Sequence, residues 1–263
     1  TFTVNKNDKI ALLSRDPLAI TSFFNIITGQ LTADSGAYEW GSTVTHAYLP
    51  QENSEFFNGQ DNLMDWLRQY VPDHVKDVDE PFLRGFLGKM LFSGEDVLKK
   101  TNVLSGGEKV RCMISKMMLQ NPNVLILDEP TNHLGIAAVE WLEGYLSQWE
   151  GAAIIISHDR FFLDKASNAI LEMFPGATET YRGNYSAYLK QRAERMARRQ
   201  EVFDSEKEKL QKEMEYIRKN VAGQNVLQAK GKLKRLSRLI QAIEQIGMEA
   251  ALKQKWSETA GEI

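Results

Sequence analysis

The feature that most constrains this chain is a glycine pair at the start of a predicted helix, followed by an apolar run that ends in two carboxylates. In Ser105–Gly107, bare backbone N–H groups and the positive end of the helix dipole favour an anion. Val124–Leu127 is typical of a buried strand, which delivers Asp128 and Glu129 to the edge where open α/β sheets bind ligands. One carboxylate can hold Mg²⁺ through water and the other can polarise an attacking water.

Strand and helix patterns alternate through the first two thirds of the chain. Short apolar segments predict buried strands at Lys9–Leu13, Thr45–Leu49, Val124–Leu127 and Ala153–Ile156. Helical periodicity occurs in Ala19–Ile27, Leu63–Tyr70, Phe82–Leu91, Ser105–Leu119 (with Ser105 as N-cap) and Ala137–Trp149. We predict edge strands at Ala169–Met173 and Glu179–Tyr181. The alternation indicates an α/β fold with a mostly parallel sheet.

Length and composition fit one large domain with an appendage. The chain has 263 residues, of which 43% are hydrophobic and 25% charged, as is ordinary for a soluble globular protein. The single cysteine, Cys112, excludes a disulfide framework and favours a reducing, cytoplasmic compartment, and we interpret it as a small buried residue. No apolar run approaches the roughly 20 residues that span a bilayer. The chain begins at Thr1 within a strand-like segment, which favours a fragment.

The charge is divided between an acidic body and a basic arm. Between Lys190 and Arg238 there are 15 Lys or Arg and 7 Asp or Glu, so the segment carries +8 and the remainder −11. From Tyr185 the pattern predicts a long helix with an apolar stripe of Phe203, Leu210, Met214 and Ile217. After a break at Gly223–Asn225, a second stripe follows: Leu233, Leu236, Leu239, Ile240, Ile243 and Ile246. Two such helices predict an antiparallel hairpin.

The basic excess favours an RNA-contacting arm over a solvated coiled coil without a ligand. The excess has one sign, and it crowds the return helix at Lys230, Lys232, Lys234, Arg235 and Arg238. Mixed charges would be expected if solubility were the only demand.

Five motifs in order resemble those of an ATP-binding cassette. Leu104–Glu108 resembles the signature, Val124–Glu129 the Walker B strand, and Asn132–Leu134 the D-loop. Gln51 is similar to the Q-loop glutamine and His158 to the switch histidine. The resemblance implies a P-loop NTPase-like α/β domain in residues 1–184, with a helical subdomain at about 58–120, followed by a C-terminal α-helical hairpin in residues 185–263.

The resemblance also implies a site for ATP and Mg²⁺. Glu129 would orient or activate the attacking water and His158 would contact the γ-phosphate, as the catalytic pair. Magnesium would be organised by Thr21, Gln51 and Asp128. The nucleotide would contact Ser14, Asp16, Thr21, Ser22, Gln51, Ser105, Gly106, Gly107 and Glu108. Outside the motif series, Gln51 would be interpreted as a solvent-facing turn residue and His158, or Ser157, as a helix cap.

The arm is similar to the linker between the two cassettes of ABC-F proteins. The similarity lies in Glu215–Gln224, Gly183–Tyr188 and Ser157–Asp164. Members of that family lack membrane domains and bind the ribosome, their linker hairpin reaches toward tRNA, and ATP sets how long they stay. The resemblance implies rRNA or tRNA contacts by Arg218, Lys219, Gln224, Lys230, Lys232, Lys234, Arg235 and Arg238. It also implies a second cassette as partner, in cis or in trans.

The phosphate loop departs from the family pattern. Glycines let backbone amides wrap phosphate, and a lysine neutralises the β and γ oxygens. Here the glycine positions hold Ser14, Pro17 and Ala19. The lysine position holds Ile20, so we expect weak ATP binding by the isolated chain. The loop resembles a second cassette whereas the linker normally follows a first one, a pattern that a rearrangement, a hybrid or a diverged single-cassette gene would produce.

Three functional hypotheses follow. The first is an ABC-F-type ATPase acting on the ribosome, and the second is a non-hydrolysing pseudo-cassette that lends its signature to a partner. The third, the detached ATPase subunit of a membrane transporter, does not explain the basic hairpin. Glu129 and His158 favour retained chemistry, whereas Ile20 favours the pseudo-cassette.

Overall fold

The computed structural model describes residues 2–75, 78–220, 228 and 231–238. The chain divides into two compact units, Thr1–Arg192 and Ala193–Ile263. Within the described residues, no helix is both long and apolar enough to cross a membrane.

The first unit is built on one six-stranded sheet. Its strands are β1 Lys9–Ser14, β2 His46–Leu49, β3 Val124–Asp128, β4 Ala152–Ile156, β5 Ala169–Phe174 and β6 Ala177–Arg182. Their order is β2-β3-β4-β1-β5-β6, with β6 antiparallel to β5 and the other pairs parallel. The prediction of a mostly parallel α/β sheet is therefore confirmed. The prediction of Ala169–Met173 as an edge strand is wrong, because a turn with Gly176 at φ 75° folds β6 back and covers that edge.

Helices cover both faces of this sheet. The α-helices of the described residues are α1 Pro17–Ile27, α2 Leu63–Arg68, α3 Glu80–Lys89, α4 Gly106–Gln120, α5 Ile136–Gln148, α6 Arg160–Ala166 and α7 Tyr185–Asn220, the last of which begins in the first unit and continues in the second. Phe24 of α1 packs on one face with Leu12 and Ile154, whereas Phe162 of α6 packs on the other face with Ile155. Neighbouring strand residues therefore point to opposite cores, as the period of two requires.

The predicted helical subdomain contains α2, α3 and α4. Leu67, Leu87 and Met113, one from each helix, are fully buried together. The Trp66 indole N–H donates to the Phe56 carbonyl at 2.8 Å, which ties the preceding turn to α2. Cys112 is also fully buried, and burial raises the pKa of its thiol, which confirms the interpretation of a structural residue.

A partly buried ion pair fixes the first turns of α7 to the sheet. Arg192 Nε lies 3.0 Å from both carboxylate oxygens of Glu172, which is 7% exposed on β5. Burial and the nearby Glu172 carboxylate raise the pKa of Tyr188 from 10.0 to about 12. The neutral phenol is thus favoured in the folded state.

We expect stability to fall between about pH 10 and about pH 12, in part because of Tyr188. Since the folded-state pKa is raised, this stabilisation is complete below pH 10 and is lost as the pH rises through the folded value. Urea unfolding of the parent and of Tyr188→Phe at stepped pH measures it, and the substitution should flatten the alkaline decline. Tyr38→Phe removes an exposed hydroxyl and serves as the control. An unchanged slope in Tyr188→Phe would contradict the assignment.

The second unit contains the greater part of α7 and a helical segment at residues 231–238. The Tyr216 hydroxyl and Gln228 Oε1 are 3.0 Å apart, Lys232 Nζ lies 4.3 Å from the Tyr216 ring centroid, and Arg235 pairs with Glu213. Later residues thus contact progressively earlier ones, so the two segments run antiparallel as the hairpin prediction requires. The predicted break at Gly223–Asn225, the RNA contacts Gln224 and Lys230, and the stripe positions Leu239, Ile240, Ile243 and Ile246 lie outside the described residues.

The predicted apolar stripe on α7 is partly wrong. Phe203 is 40% and Met214 55% exposed, whereas Glu206 and Ile217 are buried. The covered face follows positions 206, 210, 213 and 217, so it is offset from the stripe by a fraction of a turn. Lys209 Nζ, 2.8 Å from Glu206 Oε1, compensates the buried carboxylate. On the return segment Leu236 is buried but Leu233 is exposed.

Candidate nucleotide site

The carboxyl end of β3 holds the first of the two predicted carboxylates. Asp128 is 8% exposed, and the Tyr48 hydroxyl of β2 donates to its Oδ2 at 3.4 Å. Burial, and then the neighbouring Glu129, raise the pKa of Asp128, although hydrogen bonds from Tyr48 and from the Gln51 backbone oppose the shift. Asp128 is therefore largely shielded from solvent, and a bound cation would favour its charged form.

Glu129 is held in a left-handed turn that aims its carboxylate at the end of β4. Its φ is 50°, which is uncommon for a residue other than glycine, and its N–H donates to the Ile156 carbonyl at 2.9 Å. The carboxylate accepts the His158 N–H at 3.2 Å and lies 3.3 Å from His158 Nε2. The His158 side chain is 95% exposed, so it can turn toward a ligand. The predicted catalytic pair therefore lies in contact.

The helix cap after β4 differs from both alternatives that the sequence left open. Asp159 is the N-cap of α6 and accepts from the N–H groups of Phe161 and Phe162. Ser157 accepts the Asp159 N–H through its hydroxyl, which also contacts Thr131 Oγ1 at 3.1 Å. The interpretation of His158 or Ser157 as the cap is thus wrong, because α6 begins at Arg160 and the N-cap position falls on Asp159.

A small cavity joins several of the predicted site residues. Its volume is about 120 Å³. Its lining includes Gln51, Gly106, Lys109, Asp128, Glu129 and His133. The Q-loop residue, the two carboxylates and the start of the signature helix are therefore brought together. Among the described residues, no group of three His, Cys, Asp or Glu side chains forms a ready metal cage, so a cation here would keep water ligands.

The signature begins α4 with a complete capping box. The Ser105 hydroxyl accepts the Glu108 N–H at 3.4 Å, and Glu108 Oε2 accepts the Ser105 N–H at 2.8 Å. Lys99 Nζ lies 2.9 Å from Glu108 Oε1. The prediction of Ser105 as N-cap is confirmed, and the capping box holds the first turn in place.

The signature glycines pack against His133, a contact that the motif pattern did not predict. A Cβ on Gly107 would lie 2.3 Å from the His133 carbonyl oxygen, and one on Gly106 would lie 3.3 Å from the His133 ring. His133 itself has φ 63°. Glycine at 107 is therefore required by packing within the chain, besides any approach of a phosphate. The sequence placed His133 in the D-loop but carried no signal for this contact.

We expect Gly107→Ala to destabilise the first unit by roughly 1–3 kcal/mol, because backbone and not a flexible side chain must move. Gly144→Ala in the middle of α5 is the matched control: nothing lies within 4 Å of its Cβ, so a gain of about 0.5–1 kcal/mol is expected. Urea unfolding followed by circular dichroism measures both. Equal effects of the two substitutions would show that the His133 contact is loose.

The segment aligned with the phosphate loop does not form a loop. β1 ends at Ser14 and α1 begins at Pro17, so only two residues connect them. Helix α1 was expected to begin at Ala19, but Asp16 as N-cap and Pro17 in the first turn start it earlier. Ile20, at the lysine position, packs against the apolar cluster beneath α1. The segment as folded therefore lacks the glycine-rich loop and the lysine of a phosphate loop.

Two further predicted ligands in this segment lie on α1. Thr21 Oγ1 donates to the Pro17 carbonyl at 3.2 Å, and Ser22 is exposed. The structure does not bring Ser14, Asp16, Thr21 or Ser22 into the lining of the cavity that holds Asp128 and Glu129. Their roles in binding nucleotide or magnesium stay predictions.

Comparison with known proteins gives consistent matches. Two family models, both described as ABC transporter, match residues 1–132 and 171–256. The chain is 52% identical over 190 residues to the uncharacterized ABC transporter ATP-binding protein YkpA of Bacillus subtilis, covering 72% of this chain and 35% of that protein. It is 41% identical over 133 residues to the energy-dependent translational throttle protein EttA of Haemophilus influenzae, covering 51% and 23%.

A solved structure shows the same fold. The dimeric structure of a bacterial ABC transporter cassette superimposes with a TM-score of 0.56 at 14% identity, over 69% of this chain and 89% of that one. The predicted ATP-binding-cassette fold is thereby confirmed. The chain spans about a third of the length of YkpA and about a quarter of that of EttA.

Proposed function

Because the chain belongs to the ABC transporter family of ATP-binding proteins, we propose that it is part of an ABC-F-type ATPase that acts on the ribosome. The hairpin of the second unit contacts tRNA or rRNA. ATP with Mg²⁺ binds between this cassette and a second cassette, and the nucleotide state controls how long the protein stays bound. The name of EttA, a translational throttle protein, supports the choice of translation as the process.

The observation that carries this proposal is the exposed basic face of the hairpin. Arg218 and Lys219, in the last turn of α7, are exposed, as are Lys234 and Arg238 on the return segment. Side chains of this type bind nucleic acid through phosphates and release counterions. A transporter subunit has no use for such an arm, so this face favours the ribosome over a membrane partner.

Two of the predicted RNA contacts have partners within the hairpin. Lys232 lies over the Tyr216 ring and Arg235 pairs with Glu213. Both contacts stabilise the hairpin, although the Arg235 side chain is 68% exposed. The better candidates for phosphate contact are Arg218, Lys219, Lys234 and Arg238. Because phosphates carry no sequence information, we expect little sequence preference.

The second candidate function is a non-hydrolysing cassette that supplies its signature to a partner's nucleotide. The short connection from Ser14 to Pro17 favours it, because a two-residue link offers no cradle for phosphates. The capped signature helix stays available to the partner. In this second candidate function the arm still binds the ribosome, but the partner cassette hydrolyses the ATP.

Co-sedimentation with ribosomes tests the proposal. The chain is mixed with ribosomes and a non-hydrolysable ATP analogue at about 50 mM and about 200 mM salt, the range over which phosphate contacts weaken most visibly. We expect the chain in the ribosomal pellet at low salt and its loss at high salt. Absence from the pellet at low salt would contradict ribosome binding.

A further inference from the structure

The start of α1 already contains an anion. Asp16 is the N-cap, and its Oδ1 accepts the Leu18 N–H at 2.9 Å. In a phosphate loop this helix end is where the phosphates lie, because free N–H groups and the helix dipole converge there. Here a carboxylate of the chain itself takes that position.

The neighbouring backbone donors are also satisfied or missing. The Asp16 N–H donates to Ser14 Oγ at 3.0 Å, and Pro17 has no N–H to offer. With the Leu18 N–H bound to Asp16, three consecutive positions offer no free donor. A phosphate would have to displace the Ser14 and Asp16 contacts, and it would meet the Asp16 charge at close range.

The side chains around this helix end do not replace the missing lysine. Ile20 is turned into the apolar cluster, and Leu18 is 77% exposed at the second position of the helix. Arg15, exposed in the connection, is the one cation in Ser14–Ile20. It precedes the helix and is adjacent in sequence to the Asp16 carboxylate.

We propose that Asp16 is a built-in anion that occupies the phosphate position of α1 and excludes nucleotide from this chain's own half-site. ATP bound by the complete phosphate loop of a partner cassette then contacts this cassette only at the signature, Ser105–Glu108. The role of the signature rests on the proposed function, whereas the exclusion of nucleotide by Asp16 concerns this chain alone.

The test is binding of MgATP and of inorganic phosphate to the whole chain, measured by calorimetry without ribosomes. The parent should show no saturable binding up to millimolar ligand. Asp16→Gly frees the Leu18 N–H and removes the charge, so the affinity for both ligands should rise at least about tenfold. Asp16→Asn keeps a cap but loses the charge, so a smaller rise is expected.

Asp79→Gly is the matched control. Asp79 is also an aspartate N-cap, it accepts the Phe82 N–H at 2.9 Å, and a proline follows it in the first turn of α3. Its replacement should destabilise the fold to a similar degree without raising the affinity for either ligand. Circular dichroism establishes that each variant is folded, and if Asp16→Gly is not, Asp16→Asn decides.

Three results would overturn the inference. They are saturable MgATP binding by the parent in the micromolar range, no gain in the folded Asp16 variants, and an equal gain in Asp79→Gly. The first would point to Arg15 as a working phosphate ligand. Since no ribosome is present, these results are independent of co-sedimentation, and failure of one proposal is distinguishable from failure of the other.

Discussion

Reversal of four exposed basic residues in the arm is expected to abolish ribosome association at low salt. The four are Arg218, Lys219, Lys234 and Arg238, each replaced by Glu. If each parent side chain neutralises one phosphate, affinity should fall roughly 50- to 150-fold between about 50 and about 200 mM salt. The reversed arm would repel the same phosphates, so its pelleting should approach background at both salt concentrations.

The control must change the charge equally without touching the arm. Lys6, Arg68, Lys89 and Lys100 are exposed on the first unit, and the Lys6–Glu150 pair, which is exposed on both sides, contributes little to stability. Reversing these four should leave pelleting and its salt dependence near those of the parent. Equal losses in the two variants would mean that net charge alone governs binding. If the arm variant still binds ribosomes, the hairpin is a solvated coiled coil that does not contact RNA.

The choice of these four residues depended on the structure. The basic excess of the return helix was visible in the sequence, but Lys232 and Arg235 did not differ there from Lys234 and Arg238. The contacts with Tyr216 and Glu213 show that Lys232 and Arg235 take part in holding the hairpin. Reversing Arg235 would break its pair with Glu213 and confuse binding with stability.

The sheet edge was predictable because each of its parts has a local signal. Four apolar β-forming residues before Asp128 can be satisfied only in a buried strand, and Ser105 with Glu108 is a capping box in sequence as well as in structure. Glu129 and His158 lie at the ends of adjacent parallel strands, β3 and β4. The resemblance implied both as site residues, but their contact was not predicted.

The parts that were missed depend on tertiary packing or on a competing local signal. Asp16-Pro17 is a strong helix start, yet alignment to a phosphate loop placed the helix two residues later. The offset stripe on α7 reflects which face its partner covers, and a buried Glu206 gives no apolar signal. The packing of Gly107 against His133 is a contact between residues 26 positions apart in the sequence, so no local pattern reveals it.

The second large effect expected is an asymmetry between signature and Walker B substitutions. In a composite site, ATP is held by the phosphate loop and Walker B of one cassette and by the signature of the other. If Asp16 closes this chain's own half-site, Glu129 faces no nucleotide, whereas Ser105 faces the partner's nucleotide. Glu129→Gln should therefore change steady-state ATP turnover by less than about twofold when the chain is combined with a cassette that has a complete phosphate loop.

Ser105→Glu should reduce the same turnover by roughly 100-fold or more. The new carboxylate would stand at the N-terminus of α4, where the helix dipole otherwise favours the phosphate, and would repel the charge that develops during phosphoryl transfer. Ser105→Thr, which preserves the cap, is the control and should retain most activity.

A larger effect of Glu129→Gln than of Ser105→Glu would indicate that this chain hydrolyses ATP at its own site. If this chain hydrolyses ATP itself, Glu129 orients the water, and Glu129→Gln should lower turnover by about two orders of magnitude or more while nucleotide stays bound. The contact between Glu129 and His158 is compatible with that outcome, since both side chains are in place. The contacts of Asp16 and Ile20 favour the larger effect of Ser105→Glu instead, because positioned catalytic groups contribute nothing where no phosphate is held.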